Sequence, residues 1–375
     1  MKLMYCIGSM AARAGMENIL FHKAKKLAVD YGYQIVIVTS DAGKGEKCFP
    51  DIEGISYYDL NINYYKALNT NGIRKYIILL HKNRKHRERL QEAIGLIKPD
   101  IIVSLGDLDE WILPEIHGMI PIVNECHFHY SYRVENYPGK LYQTIRLYFN
   151  RKTKEKYNKL IVLTKHDKEA WNLKNCDVIP NFSLLKAEKM QNVYKNRKVI
   201  AAGRLTSQKG FDILLDIWKI LKEKYENSKI WNLEIYGEGE DRDSLEQMIK
   251  ENNLQEYVSL QGISSNMLES YAKGSIFALS SRYEGFGLVL IEAMSCGLVP
   301  VAFDCKQGPN EIMINGTGYL IPQYDKELYA EKLYYLMTNE DVRMRMSEKC
   351  RIRANEYDEN KIIREWAELF EKLTV

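Results

Sequence analysis

Two glutamates eight positions apart, Glu284 and Glu292, flank a glycine-rich turn of the sequence. Gly285 and Gly287 leave the backbone of this turn bare, so that N–H groups at the start of the following helix can face a phosphate or a sugar. A carboxylate accepts hydrogen bonds from two hydroxyl groups at once, which suits a vicinal diol. The segment predicts a site for a hydroxyl-rich or phosphorylated ligand. The alternative for Glu292 is a structural carboxylate with a partner, because its helix is apolar.

Two cations form a second candidate site directly after the strand-like stretch 198–202. Arg204 and Lys209 lie five positions apart and are flanked by glycines. Arg donates through a fixed fork and Lys acts as a point charge, a combination that suits a diphosphate. Open α/β sheets bind ligands at the carboxyl ends of their strands, so a phosphate site is favoured here over two surface charges. Gly15, which follows the first strand, could also let backbone approach a phosphate, although many such turns carry glycine for conformational reasons.

Two histidines follow another strand-like stretch, residues 120–124, in the order Glu125-Cys-His127-Phe-His129. A lone histidine at such a place is more often structural than catalytic. The position at a carboxyl end nevertheless makes both His127 and His129 candidates, with Glu125 as a neighbour that could orient them.

Three other patterns are discounted as sites. Asp107-Leu-Asp109 resembles a metal-binding D-x-D motif, but it is better interpreted as a polar loop after a strand. The segment Gly237-Glu-Gly239 is too acidic to hold a phosphate. The seven cysteines are scattered, and none has a metal-ligand spacing with a histidine. We therefore expect reduced thiols and no metal.

Short β-rich runs alternate with helix-length segments, and this pattern restarts near residue 198. Such alternation predicts parallel sheets covered by helices on both faces, and 375 residues suffice for two domains. We expect an α/β protein with two Rossmann-like, doubly wound domains that face each other across a cleft. The predicted N-terminal domain spans 1–180 and the C-terminal domain 181–358. A last helix, 359–375, is expected to pack back on the first domain.

Composition and charge restrict the partners. The chain is 46% hydrophobic and 27% charged, with a net charge of +3, which gives no general reason to expect nucleic acid. It has neither a bilayer-spanning apolar run nor a signal sequence, so we expect a cytoplasmic protein. Two cation clusters at 82–89 and 146–156 are either solvated helix faces or an attachment patch for the inner face of an anionic membrane.

The E-x7-E element, the Gly203-Arg204-x4-Lys209-Gly turn and the Ala14-Gly15-Met-Glu turn together resemble the GT-B superfamily of retaining glycosyltransferases. The resemblance is to the family usually numbered four, or glycosyltransferase group 1, which includes glycogen synthases and bacterial capsule and lipopolysaccharide enzymes. It covers nearly the whole chain. The family commonly has Gly-Gly where this chain has Ala14-Gly15, which restricts φ at the first position and would narrow the donor pocket.

The resemblance implies roles for individual residues of a nucleotide-sugar site. Glu292 would hold the ribose hydroxyls, Arg204 and Lys209 the diphosphate, and Glu284 the donor sugar. Gly15 would approach the diphosphate, and His127, which fits the family pattern better than His129, would contact the reacting sugar. The remaining donor contacts would come from the base-binding loop with Gly262 and Ile263, and from the helix start with Gly285, Phe286, Gly287 and Leu288.

By the same resemblance, the chain would move a hexose or N-acetylhexosamine, UDP-linked, to a saccharide or lipid-linked saccharide in cell-surface polysaccharide synthesis. It would need no metal or other cofactor. The departing diphosphate would accept the proton of the acceptor, so positioning and charge stabilisation would carry the rate. Two alternatives share the architecture, a sugar-nucleotide 2-epimerase and a non-catalytic subunit.

Overall fold

The computed structural model describes residues 1–11, 15–41, 48–64, 73–106, 109–128, 130, 139–185, 193–305, 308–314 and 316–374. The chain divides into two units, which are described separately. Unit 1 comprises Met1–Pro180 and Asn360–Val375, and unit 2 comprises Asn181–Glu359. Among the helices of the described ranges, none combines the length and the apolar character needed to cross a bilayer.

Unit 1 is built on a seven-stranded parallel sheet with the order β3-β2-β1-β4-β5-β6-β7. All four side chains of the central strand β4 are buried, as expected where helices cover both faces of a parallel sheet. The strands are β1 (Lys2–Ile7), β2 (Gln34–Thr39), β3 (Ile55–Asp59), β4 (Ile101–Ser104), β5 (Ile122–Cys126), β6 (Lys159–Val162) and β7 (Cys176–Val178). The helices are α1 (Gly15–Tyr31), α2 (Ile73–Ile97), α3 (Asp109–Ile116), α4 (Lys140–Lys154) and α5 (Lys165–Trp171).

Unit 2 repeats this plan with a six-stranded parallel sheet of order β10-β9-β8-β11-β12-β13. Its strands are β8 (Lys198–Ala202), β9 (Asn232–Tyr236), β10 (Val258–Gly262), β11 (Ile276–Leu279), β12 (Val299–Phe303) and β13 (Tyr319–Ile321). Its helices are α6 (Phe211–Lys224), α7 (Arg242–Glu251), α8 (Met267–Ala272), α9 (Leu288–Ser295), α10 (Pro309–Ile312), α11 (Lys326–Thr338) and α12 (Glu340–Ala354). The prediction of two doubly wound parallel sheets is thus confirmed.

The last helix, α13 (Glu359–Thr374), returns to unit 1 after the chain has completed unit 2. Its residue Trp366 places its ring 3.9 Å from the ammonium nitrogen of Lys23 in α1. One turn further along α1, Lys26 donates to the side-chain oxygen of Asn360 at 3.0 Å. The C-terminal helix therefore completes the helical cover of unit 1 on the α1 side.

The strand order reverses direction once in each sheet, between β1 and β4 in unit 1 and between β8 and β11 in unit 2. At such a point, the loops that follow two neighbouring strands emerge side by side at the carboxyl edge. In unit 2 these are the loops at 203–210 and 280–287. Sequence-distant residues of these loops are brought together in this way.

Candidate active site

The loops after β8 and β11 are joined by an ion pair between Lys209 and Glu284. The ammonium nitrogen of Lys209 lies 2.7 Å from Oε1 of Glu284. The hydroxyl of Ser281 donates to the same oxygen at 2.5 Å. Glu284 is buried and Lys209 is half-buried, so the pair holds a cation at the carboxyl edge of the sheet. Two of the predicted site residues are therefore in contact, as lysine and carboxylate partners.

The side chain of Lys209 reaches Glu284 by crossing over Gly203. A Cβ atom on Gly203 would lie 3.1 to 3.2 Å from three carbons of the Lys209 side chain. The loop after β9 packs still more closely against this strand end, since a Cβ atom on Gly237 would lie 1.9 Å from the carbonyl oxygen of Gly203. A Cβ atom on Gly239 would lie 2.2 Å from the carbonyl oxygen of Leu205. The Gly-Glu-Gly motif is thus explained by backbone packing.

Replacing Gly237 with alanine is expected to lower the free energy of unfolding by roughly 2 to 4 kcal/mol. The new methyl group would collide with the Gly203 backbone, and φ at Gly237 is +142°, which alanine rarely adopts. Urea denaturation followed by tryptophan fluorescence measures the change. Gly95→Ala is the control, because nothing lies within 4 Å of that position. Equal stability of both variants and the wild type would contradict the packing.

Arg282 fixes the two loops against each other. Its guanidinium makes two hydrogen bonds to Asp212, at 2.9 and 2.6 Å, and donates to the carbonyl oxygen of Ser207 at 2.6 Å. The hydrogen bonds from Arg282 lower the pKa of Asp212. Sequence inspection missed this structural arginine. Arg204, in contrast, is exposed in the loop after β8.

Glu292 lies in the second turn of α9, which begins after Gly287 in a left-handed conformation with φ of 91°. Burial raises the pKa of Glu292 from 4.5 to about 7, partly opposed by the hydroxyl of Tyr271, whose oxygen lies 3.4 Å from Oε2. The sequence predicts a partner for this carboxylate if it is structural, and in the structure that partner is the hydroxyl group of Tyr271. Glu292 is nonetheless partly accessible, so a ligand could add hydrogen bonds.

The raised pKa predicts a pH-dependent stability. The pKa of Glu292 is about 7 in the folded protein, above its ordinary value of 4.5. The contribution of Glu292 to the free energy of unfolding is therefore fully present below about pH 4.5 and is lost as pH rises through 7. Ligand-free protein should lose on the order of 2 kcal/mol between pH 5 and pH 8 relative to Glu292→Gln. Denaturation at both pH values measures this difference. Parallel pH profiles for the two proteins would contradict the assignment.

The other predicted contacts of unit 2 lie in two places, around the start of α9 and at the end of β10. Phe286 is buried against the ring of Tyr357, and Leu288 is half-buried at the start of α9. The last residue of β10, Gly262, accepts a hydrogen bond at its carbonyl oxygen from the backbone N–H of Gly237, and Ile263, which follows it, is 79% exposed. An exposed apolar side chain here could stack against a planar ring.

In unit 1, His127 belongs to a buried chain of charges. Its Nε2 atom lies 3.1 Å from Oε1 of Glu125, whose other oxygen accepts a hydrogen bond from Lys23. Lys23 is fully buried between the rings of Tyr5 and Trp366. Burial alone would raise the pKa of Glu125, but the charges of Lys23 and His127 outweigh it and hold the pKa at about 2. Glu125 is therefore a carboxylate at neutral pH.

Gly15 is exposed at the first position of α1, and nothing lies within 4 Å of a Cβ placed on it. The backbone is accordingly open to a ligand there. Asp109 pairs with buried His86 at 2.7 Å, which gives it a structural role. Ala14, Asp107 and His129 lie outside the described residues. Within the described ranges, no group of three or more His, Cys, Asp or Glu side chains could hold a metal ion.

Comparison with known proteins gives the class. Residues 186–353 match the family model for glycosyl transferases group 1. The amylovoran biosynthesis glycosyltransferase AmsD of Erwinia amylovora is 36% identical over 221 residues, which cover 56% of this chain and 61% of AmsD. An uncharacterized glycosyltransferase of Haemophilus influenzae is 29% identical over 374 residues, covering 97% and 98% of the two chains.

Among solved structures, the fold is similar to that of Staphylococcus aureus TarM, in a complex with fondaparinux, alpha-GlcNAc-glycerol and UDP. The TM-score is 0.77 at 17% identity, over 98% of this chain and 99% of TarM. Together with the two doubly wound sheets, these matches define the protein as a glycosyltransferase with the GT-B fold. Its second unit belongs to the glycosyl transferases of group 1.

Proposed function

We propose that the protein transfers a hexose or N-acetylhexosamine from a UDP-sugar to a saccharide or lipid-linked saccharide acceptor, with retention of anomeric configuration. The observation that carries this proposal is the Lys209–Glu284 pair at the switch point of unit 2, with Glu292 on the helix that follows. An ammonium group that is fixed by a carboxylate can bind a diphosphate, and an accessible carboxylate can accept hydrogen bonds from both hydroxyl groups of a ribose. The TarM complex contains UDP together with alpha-GlcNAc-glycerol, which supports a nucleotide donor.

In the proposed reaction, the bond between C1 of the sugar and the diphosphate breaks while a bond from C1 to the acceptor oxygen forms on the same face. The acceptor proton passes to an oxygen of the departing diphosphate. Lys209 and Arg204 stabilise the negative charge that develops on this leaving group. Glu284 keeps Lys209 in place and would also accept a hydrogen bond from a sugar hydroxyl through its second oxygen.

His127 would contact the reacting sugar through the ring nitrogen that does not face Glu125. The carboxylate of Glu125 beside Nε2 holds the ring in place, which leaves the Nδ1 side to form a hydrogen bond with a sugar hydroxyl. On this account Glu125 and Lys23 are positioning residues, because they act on the sugar only through the histidine.

The biological setting that fits best is cell-surface polysaccharide synthesis without a metal cofactor. The named activity of AmsD in amylovoran biosynthesis supports the polysaccharide setting. On this proposal, Arg204 and Lys209 neutralise the charge of the leaving diphosphate in place of a metal ion.

The test is incubation of the purified chain with a panel of UDP-sugars, with and without undecaprenyl-diphosphate-linked saccharides. Release of UDP that depends on the acceptor, and a product with the anomeric configuration of the donor by NMR, are expected. Epimerisation or hydrolysis of the UDP-sugar without an acceptor would contradict the proposal in favour of an epimerase. An inverted product would contradict retention.

A further inference from the structure

Helix α4 buries polar side chains and exposes apolar ones. A helix at a protein surface normally turns its apolar side inwards. In α4 the buried side chains are those of Asn150 and Lys154. The exposed ones include Leu141 (76%), Ile145 (45%) and Tyr148 (57%), which follow one another at helical spacing. An apolar stripe therefore points away from unit 1.

A buried ion pair accounts for this orientation. The ammonium group of Lys154, the last residue of α4, lies 2.5 Å from Oε2 of Glu110 and donates to the side-chain oxygen of Asn124 at 2.7 Å. All three side chains are buried. Because this anchor fixes the rotation of α4 about its axis, the apolar residues are held on the outer side.

The first turns of α2 show the same reversal. Tyr76, Ile77 and Leu80 are 73%, 61% and 69% exposed. This helix is anchored by His86, which pairs with Asp109 in the first turn of α3, the residue next to Glu110. In both helices, the exposed apolar residues are therefore followed by a buried residue, His86 or Lys154, that pairs with the first turn of α3. We call the exposed apolar side chains of 76–80 and 141–149 the docking face.

Charge distinguishes the partners that could cover the docking face. Residues 73–85 and 140–154 each contain five Lys or Arg and no Asp or Glu. The structure corrects the simplest interpretation of these clusters, since Lys154 is buried and Lys82 donates to the carbonyl oxygens of Ile62 and Asn63. The nearest carboxylates in sequence, Glu88 and Glu155, are each paired with a cation, with Arg84 and Lys152 respectively. Apolar and aromatic side chains within such a cation-rich stretch fit an anionic lipid surface, into which such faces insert.

We propose that the docking face binds the surface of an anionic phospholipid bilayer. The apolar side chains enter the interface between headgroups and acyl chains, and the surrounding cations lie at the anionic headgroups. This inference deepens the proposed function, because a lipid-linked acceptor lies at such a surface, but the binding itself requires no transfer reaction.

Co-sedimentation of the full chain with vesicles tests the proposal. Binding to phosphatidylcholine vesicles that contain phosphatidylglycerol is expected, with little binding to pure phosphatidylcholine and weaker binding at high salt. The variant Leu80→Glu/Leu141→Glu should lose binding about tenfold or more. Its matched control is Val29→Glu/Leu96→Glu, which adds the same charge at positions 63% and 71% exposed elsewhere on unit 1 and should bind as the wild type does.

Each other outcome overturns the proposal. Equal loss of binding in both double variants would assign the effect to net charge, and absence of wild-type binding would refute docking outright. Light scattering that shows a wild-type dimer, made monomeric only by Leu80→Glu/Leu141→Glu, would make the face an interface between two copies. UDP binding measured in parallel separates this result from the proposed function, because the docking variant should retain it.

Discussion

Replacing Lys209 with methionine is expected to reduce kcat/KM for the UDP-sugar by roughly 10²–10³-fold. In the proposed reaction the ammonium group stabilises charge on the leaving diphosphate, and methionine removes this positive charge while keeping the carbon chain that packs over Gly203. Initial rates of UDP release at saturating acceptor measure the effect. Lys250→Met is the control, because Lys250 is an exposed lysine in the last turn of α7.

A loss of fold must be separated from this loss of activity. Without Lys209, buried Glu284 loses its ammonium partner and keeps the hydroxyl of Ser281 near Oε1, so the single variant should be less stable than the wild type. Adding Glu284→Gln removes the uncompensated charge and should restore stability without restoring turnover. Near-normal transfer by Lys209→Met would refute the role of this lysine.

The second large effect is expected in unit 1, where Lys23→Met should lower the free energy of unfolding by about 3 to 5 kcal/mol. The substitution leaves the buried carboxylate of Glu125 without its ammonium partner, and it removes the cation beside the ring of Trp366. Urea denaturation at neutral pH measures the loss. Lys25→Met, at an exposed position of the same helix, should be nearly neutral.

The double variant Lys23→Met/Glu125→Gln distinguishes a broken charge pair from a packing defect. Because it removes both charges, it should recover much of the stability lost in Lys23→Met. It should still transfer sugar more slowly than the wild type, since His127 then lacks the carboxylate beside Nε2. A double variant as unstable as the single one would show that the ion pair is not the cause.

The donor half of the candidate site was accessible from the sequence because its signals are local. Arg204 and Lys209 follow one strand, and Glu284 and Glu292 surround one glycine-rich turn. Their pairing was not predictable, because it depends on β8 and β11 being neighbours in the sheet although two strands intervene in the chain. The same holds for Tyr271 beside Glu292, which comes from a different helix.

The buried charges of unit 1 illustrate a signal that was present but missed. Lys23 shares the apolar side of α1 with Leu20, Ala24 and Leu27, all of them buried, so a lysine there needs an internal partner. The identity of that partner could not be inferred, because Glu125 lies 102 residues away. Three sheet-edge strands, β3, β7 and β13, give a weaker signal in the sequence than the central strands, because they are only partly buried and lack a long apolar run.

The cation clusters show why exposure cannot be read from charge alone. Charged runs suggested a basic surface at 82–89 and 146–156, but Arg89 donates to the carbonyl oxygens of Leu60 and Asn61, and Arg151 donates to that of Asn172. These side chains support loops of unit 1. The exposed side of α4 instead carries its apolar residues, which the sequence pattern alone would place in the core.

The most direct test of a nucleotide-sugar site in unit 2 is calorimetric titration of the full chain with UDP at pH 8. We expect one UDP bound per chain, with affinity lowered about tenfold or more in Lys209→Met and in Glu292→Gln. Lys250→Met should bind as the wild type does. No binding of UDP, GDP or ADP by the wild type, or equal UDP affinity in all four proteins, would contradict the site.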